Sequence, residues 1–507
     1  MSLPSTQLPP IRRRRALNER AAASLDALLI IAAPGSGEFT KRLPGAQGWG
    51  RLRSRSDLKA GALHSRGLPN AAQTQAVLAW ADTGATGAFE RLELAGRMLR
   101  ELAARRPARI GIVVDPALLD AAAWYEALIA AALAQSFALP QFRSQPQPQW
   151  RLAAIELFEA PPLPLARIQA TARGGNLVRW LTALPPNHLD AASYRALLGT
   201  LARRHGLTLR WYSERELKRL GAGAFLAVTR ANAARNAGIA RLTWRGPRSR
   251  RAARRDARPD VSLVGKGILF DTGGINLKPH RSMLDMHTDM AGSAVALATL
   301  LALAELKSPL HAESWLAITE NNTGPEAYRP QEVIRALNGT TIQVIHSDAE
   351  GRMVLADTLA LASRANPKLM LDYGTLTGAC VYALTERYSG VFSNRPGLAA
   401  RMQAAGIACG ERVWNFPLDA DFDSDLESPV ADIAQCAVEG KGDHILAARF
   451  LSRFVGAGIP WGHVDLSAAT RRGGLAHVNT EITGFGVRFS LQLLLDRATW
   501  ADKAATA

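Results

Sequence analysis

Short apolar runs that alternate with helical stretches, from residue 166 onward, constrain this chain more than any other feature. The runs at 261–264, 314–318, 341–345, 369–372 and 463–466 have strand length and are separated by helix-length segments. Such alternation predicts an α/β fold in which a mainly parallel sheet is covered by helices on both faces. A helix over 191–205, stopped by Gly206, and a strand over 208–212 open this region. Residues 1–165 carry a second, smaller α/β pattern, with strands at 28–32, 76–80 and 109–114 and a helix over 88–104, but no cluster of catalytic side chains. Prolines and glutamines at 140–148, then Pro161, Pro162 and Pro164, mark a boundary. The expectation is two domains, since 507 residues exceed one ordinary core. Residues 1–165 form a non-catalytic α/β domain suited to oligomer contacts, and 166–507 form the catalytic domain.

Charge and cysteine content exclude several classes. Only Cys380, Cys409 and Cys436 occur, without close pairs, which argues against a disulfide scaffold or a cysteine-based zinc site and fits a reducing compartment. No apolar run approaches the ~20 residues that span a bilayer; the stretch 291–306 reads as core packing within an amphipathic pattern. The basic block Arg12–Arg15 is followed by Asn18, Glu19 and Arg20 rather than by an apolar stretch, unlike a secretory signal. An Arg-rich, acid-poor start also suits a transit peptide, but the expectation is the cytoplasm. The net charge is +17, with arginines concentrated at 12–20 and at 245–258, where seven face one aspartate. Such blocks attract nucleic acid. No nucleic-acid motif accompanies them, and a solvated loop is the plainer reading.

The chemistry-bearing residues fall near the expected carboxyl ends of strands, where ligands bind in sheets of this kind. One segment runs from Val264 through Gly265, Lys266, Gly267, Asp271, Gly273, Gly274 and Lys278 to Pro279. It reads as a strand entering a glycine-rich turn, matches neither GxxxxGK[ST] nor GxGxxG, and places an acid where a cation fits better than a phosphate. A second cluster, Met286 to Gly292, carries Asp289. A third, Ser347 to Arg352, carries Asp348 and Glu350. In extended backbone, residues two apart share a side, so Asp348, Glu350 and Arg352 are expected to face one pocket. Adjacent buried carboxylates repel unless cations compensate, and a pair of divalent ions compensates better than one arginine. Lys266 ligates a metal only as a neutral amine, the state that a dry pocket beside two dications favours. No HExxH helix and no GxSxG elbow occur.

The ordered set resembles the leucyl aminopeptidase (cytosol aminopeptidase) family of two-metal exopeptidases. Besides these clusters it includes Leu184-Pro-Pro-Asn187, Glu320-Asn321, Tyr328-Arg-Pro330, Asn338-Gly339, Thr375-Leu-Thr-Gly-Ala379, Phe392-Ser-Asn394 and Thr483-Gly-Phe-Gly-Val-Arg488. The resemblance covers roughly residues 179–494. It implies that Asp271 and Glu350 bridge two ions, zinc or manganese, that Asp348 completes one site, and that Lys266 and Asp289 complete the other. Lys278 would polarise the substrate carbonyl, and Arg352 would hold a bicarbonate ion that accepts the proton of the attacking water. Met286, Thr375, Leu376 and Gly378 would shape an apolar side-chain pocket that prefers leucine-like residues. A hexamer acting on peptides is implied as well. An alternative is a DNA-binding or regulatory protein on the same scaffold.

Several positions depart from the family pattern. His287 stands where lysine or arginine is common, and His346-Ser347 replaces Asn-Thr. Residues 437–443 read Ala-Val-Glu-Gly-Lys-Gly-Asp in place of a Gly-Gly stretch, and Tyr373-Gly374 replaces an aliphatic-alanine pair. Plainer readings also exist for single residues. Asp289 and Asp348 suit helix caps, Lys266 suits a snorkelling surface lysine, and His346 suits packing at a strand end, with lining the pocket or hydrogen-bonding behind the ligands as its alternative.

Overall fold

The computed structural model describes residues 7–53, 59–82, 84, 86–247 and 258–495. Six strands, β1 (Ile11–Arg14), β2 (Ala27–Ala32), β3 (Leu63–Gly67), β4 (Gln75–Trp80), β5 (Arg109–Val114) and β6 (Ala154–Phe158), form an N-terminal sheet in the order β1-β6-β5-β2-β4-β3. All its pairings are parallel except β3 with β4. Helices Ala88–Leu102 and Ala121–Gln135 pack on it. The Arg-rich start of the chain supplies edge strand β1, and the core of the other basic segment, 248–257, lies outside the described residues.

The second sheet has eight strands. They are β7 (Thr208–Ser213), β8 (Gly238–Arg245), β9 (Val261–Asp271), β10 (His311–Asn321), β13 (Met370–Gly374), β14 (Ser389–Ser393), β15 (Val413–Asn415) and β17 (Trp461–Asp465). Their order is β15-β14-β17-β13-β9-β10-β8-β7. The central run β17-β13-β9-β10 is parallel, and antiparallel pairings appear toward both edges. The strand expected at 341–345 is not part of this sheet. It is three residues long (β12, Thr341–Gln343) and joins β11 (Val333–Arg335) and β16 (Ile433–Ala434) in a side sheet.

Alternation along β9 decides how helices cover the sheet. Leu263 and Leu269 enter the core shared with helix Ala291–Glu305, whereas Val264 and Ile268 enter the core shared with helix Glu350–Ser363. Gly265 and Gly267 fall on the first face. A Cβ on Gly265 would lie 2.6 Å from Ser293 Cα and one on Gly267 3.1 Å from Ser293 Oγ, so these glycines admit the helix against the strand. The glycine-rich turn read from the sequence therefore begins later than expected: β9 continues through Gly265 and Gly267 to Asp271, and only Gly273 and Gly274 adopt positive φ.

Helix Ala291–Glu305 is not amphipathic. Every residue from Ala291 to Ala304 is buried, between β9, β10 and β13 on one side and helices Leu165–Thr182 and Val487–Leu495 on the other. The segment His280–Glu305 is long and apolar enough to cross a membrane by composition, but it is broken into three helical pieces and its apolar part is core. All three cysteines are buried and unpaired.

Candidate active site

Four neighbouring strands end at one place. Asp271 ends β9, and its register partner on β10 is Asn321, which ends that strand. Thr375 follows β13, whose last residue, Gly374, pairs with Asp465 at the end of β17. The site thus lies at the carboxyl ends of the parallel strands, where the backbone diverges into loops.

The turn after β9 is tied to the segment before helix Glu350–Ser363. Ser347 donates to Gly273 O (2.7 Å) and accepts from Asn276 N–H (2.8 Å), while Ser347 N–H donates to Asn276 Oδ1 (2.9 Å). These bonds bring Asp271 and Asp348 together from positions far apart in sequence. Asp271, Asp348 and Glu350 each present an oxygen within 4.8 Å of the others. Lys278 Nζ lies 3.0 Å from Asp271 Oδ2 and 2.6 Å from Asp348 Oδ1. Lys266 Nζ lies 2.8 Å from Asp289 Oδ2 and 3.0 Å from Glu350 Oε1, and donates to Thr375 O (2.9 Å).

Lys266 is on the even-numbered face of β9, directed at the first turn of helix Glu350–Ser363. A Cβ on Gly351 would lie 2.6 Å from Lys266 Cε, so glycine is what lets the amine pass. Lys266 is 3% exposed, which replaces the snorkelling reading with a buried one. Asp289 and Asp348 do not N-cap the helices that follow them. The N-cap positions are Met290 and Ala349, neither with a side-chain cap, and Asp289 instead accepts from Lys266 (2.8 Å) and Thr375 Oγ1 (2.6 Å). Glu350 and Arg352 sit on the first helical turn, not in extended backbone. Asp348, Glu350 and Arg352 nevertheless line one cavity, because the turn at 346–349 swings into the helix there.

Electrostatics follow from four carboxylates sharing two lysines. Burial, reinforced by Asp271, pushes Glu350 up to about 8, and burial pushes Asp289 up to about 6. Asp348 is raised for the same reasons. Burial works against the charge on Lys266, but Asp289, Glu350 and Asp271 outweigh it and raise its pKa; Asp271, Glu350 and Asp348 do the same for Lys278. The neutral amine expected at Lys266 is therefore not the state the carboxylates favour. Proton loss there needs added positive charge, which divalent ions carry. Four carboxylates against two lysines leave negative charge in excess whenever all four are ionised, and the raised values of Glu350, Asp289 and Asp348 register that strain. Together with the three converging carboxylate oxygens, this fits cations at the site.

The cavity, about 610 Å³, is also lined by Met286, Thr375, Leu376 and Gly378. His346 lines it too, and its Nδ1 accepts from Asp348 N–H (3.3 Å), so it touches the acidic loop rather than packing in a core. Thr377 is occupied structurally, donating to Asp465 (2.7 Å) and capping helix Gly378–Leu384. Arg352 is 2% exposed. Its Nη2 donates to both oxygens of Asp443 (2.7 and 2.8 Å), and its Nη1 donates to Gln435 O (3.2 Å).

Three contributors were not assigned from sequence. Asn321 donates to Asp271 Oδ1 (2.8 Å) and orients that carboxylate; its place at a strand end beside Asp271 was the available signal. Tyr328 donates to Ser347 O (2.7 Å) and buttresses the acidic loop from below. Asp443 lies in a stretch marked only as unusual.

Comparison with known proteins adds independent observations. A family model described as "Cytosol aminopeptidase family, catalytic domain" matches residues 176–491. A "Probable cytosol aminopeptidase" of Corynebacterium diphtheriae is 38% identical over 332 residues, 65% of this chain and 64% of that protein. One from Roseiflexus castenholzii is 36% identical over 380 residues, 73% and 76% of the two chains. Among solved structures, the bottromycin maturation enzyme BotP in complex with Mn has 30% identity and a TM-score of 0.79, covering 92% of this chain and 98% of that one. The apo leucyl aminopeptidase of Trypanosoma cruzi has a TM-score of 0.81 over 96% of each chain at 22% identity, a likeness of fold.

Proposed function

The chain belongs to the cytosol aminopeptidase family, and from that premise we propose that it is a metal-dependent aminopeptidase hydrolysing the first peptide bond of peptides with leucine-like N-terminal residues. The observation that carries the reading is the convergence of Asp271, Asp348 and Glu350 oxygens within 4.8 Å inside a cavity flanked by two lysines. Asp271, Glu350 and Asp348, with Asp289 and a deprotonated Lys266, would hold two divalent ions. When bound, such ions acidify water and polarise a carbonyl.

The chain's own residues supply the rest. Lys278 faces the cavity and offers its ammonium to the substrate carbonyl oxygen as negative charge builds there. The free α-amino group of the substrate would bind a metal and lie near Asp289, which Thr375 holds, and this favours N-termini over internal sites. Met286, Leu376 and Gly378 leave an apolar recess for the side chain. Zn²⁺ and Mn²⁺ both suit an oxygen-rich set with one amine, and the manganese bound by the bottromycin enzyme supports Mn²⁺. Cytoplasmic residence and a hexamer with contacts through residues 1–165 complete the proposal. At Arg352, the residue expected to hold bicarbonate, Nη2 is engaged by both oxygens of Asp443. The nucleic-acid reading is not favoured: of its basic segments, Arg12 and Arg14 pair with Glu156.

The test is metal analysis of the purified protein alongside hydrolysis of leucine, arginine and cysteinylglycine substrates. Divalent metal, fastest turnover of leucine, loss on chelation and recovery with Zn²⁺ or Mn²⁺ are expected. A metal-loaded protein inert toward all three would overturn the reading.

A further inference from the structure

We propose that Asp443 takes, within the chain, the place of a free proton-accepting anion beside Arg352, so that hydrolysis proceeds without bicarbonate. This rests on the aminopeptidase reading above. A bicarbonate ion and an aspartate side chain present the same planar pair of oxygens to a guanidinium. Here both Asp443 oxygens already sit on Arg352 Nη2 at 2.7 and 2.8 Å. Of the other guanidinium nitrogens, Nη1 is on Gln435 O, and Nε, closed off from solvent, has no hydrogen-bond partner among the described residues.

Asp443 is placed to act rather than only to neutralise. It lines the cavity that holds Asp271, Asp348 and Glu350, and its side chain keeps 25% of its surface exposed while Arg352 is buried behind it. The other cavity carboxylates are engaged elsewhere. Asp271, Asp289, Asp348 and Glu350 meet lysines, and Asp465 is 1% exposed and bonded to Leu376 N–H and Thr377. Asp443 is the first residue of helix Asp443–Ser452. Gly440 and Gly442, both at positive φ, turn the chain into that position. Arginine on one side fixes the orientation of the carboxylate, whose exposed part borders the cavity.

The step balances as ordinary hydrolysis. A water O–H bond breaks, its proton passes to Asp443, and the oxygen's electron pair forms the bond to the carbonyl carbon. The proton then moves to the departing amine nitrogen as the C–N bond breaks, and Asp443 returns to carboxylate.

The experiment compares the wild-type protein with Asp443→Ala and Asp443→Asn, each metal-loaded, in carbonate-free buffer and with added sodium bicarbonate. Leucine-substrate turnover and melting temperature are both read. Wild-type kcat is expected to change less than about twofold on adding bicarbonate. Asp443→Ala is expected to lose about 10²-fold or more in kcat, the range of a positioned general base, with little change in KM. Bicarbonate or formate then restores at least a tenth of the loss saturably and raises the melting temperature of Asp443→Ala but not of wild type. Asp443→Asn, which fills the space without accepting a proton, stays impaired and is not rescued. Wild-type stimulation by bicarbonate overturns the proposal, as does full activity of either variant without it. So does a folded, metal-loaded Asp443→Ala that neither anion rescues. Failure of the aminopeptidase reading looks different: the wild type itself is then inactive, while the anion-dependent melting shift of Asp443→Ala is unaffected.

Discussion

In the N-terminal sheet Glu156 is 2% exposed and meets three arginines, Arg12, Arg14 and Arg109; at the carboxyl end of the second sheet four carboxylates share two lysines. Both arrangements bury acid on a parallel sheet, yet the balance of charge is opposite. Burial pushes Glu156 up, but Arg14 and its neighbours outweigh that and leave its pKa low. Around Glu350 burial and Asp271 win, and the pKa rises to about 8. A buried acid with cations in excess is a strut. Buried acids in excess of their cations suit added positive charge, and that difference separates the two domains more clearly than their similar strand-helix alternation.

The contrast breaks most visibly at Glu350. Glu350→Ala is expected to lower leucine-substrate turnover by more than about 10³-fold, since a metal-held water and carbonyl are worth several kcal/mol. Elemental analysis should show metal lost as well. Mn²⁺ at 100 times its Kd stabilises a protein by about 2.7 kcal/mol, so it should raise the melting temperature of wild type and not of this variant. Full activity in Glu350→Ala would falsify the two-ion assignment. Lys278→Ala comes next. Turnover should fall about 10²- to 10³-fold, as on removing one donor to a developing oxyanion, while metal content stays near normal. A variant that instead loses its metal would recast Lys278 as part of the cage.

How much of this was legible in the sequence depended on the distance over which each residue acts. Period-2 and helical patterning placed strands Ala27–Ala32, Arg109–Val114 and Thr208–Ser213 and helix Ala88–Leu102 within two residues, because those signals are local, whereas β9, expected over 261–264, runs on to Asp271. Helix Ala191–His205 was legible to its last residue, since the Asp190–Ser193 capping box and the left-handed Gly206 are written into it. The acids and lysines of the site were legible as residue types and as an ordered family pattern. Their mutual placement was not, because it depends on Ser347 and Asn276 stitching two loops across the sheet. The side sheet containing Thr341–Gln343 was illegible for a related reason: a three-residue strand has too little pattern to declare its partner. Gly265 and Gly267 were misread as turn glycines because sequence does not show which helix lies over a strand.

Gly351 sharpens the comparison at the level of a single methyl group. The Lys266 tip would have to move to admit a Cβ, and its contacts with Asp289, Glu350 and Thr375 O oppose that movement. Gly351→Ala is expected to lower turnover about 10²-fold, the effect of roughly 1 Å of misplacement, with the melting temperature little changed. Wild-type turnover in that variant would show that Lys266 is free to shift and is no fixed ligand.

The smallest effect is expected where charge is balanced in the other direction. Glu156→Gln keeps the shape of the side chain but leaves Arg12, Arg14 and Arg109 without their shared anion. At neutral pH a fall of about 2–4 °C in melting temperature is expected, with turnover unchanged. The sign of the pH dependence follows from the lowered pKa. The folded state binds this proton less readily than the unfolded chain, so the glutamate's contribution is full above its ordinary value of about 4.3 and is lost as pH falls through the folded value. The gap between wild type and Glu156→Gln should therefore close on acidification below about 4.3. A gap that stays constant into acid would mean that Glu156 contributes by packing, and the three arginines would then be solvated charges rather than the counterweight that makes this acid a strut.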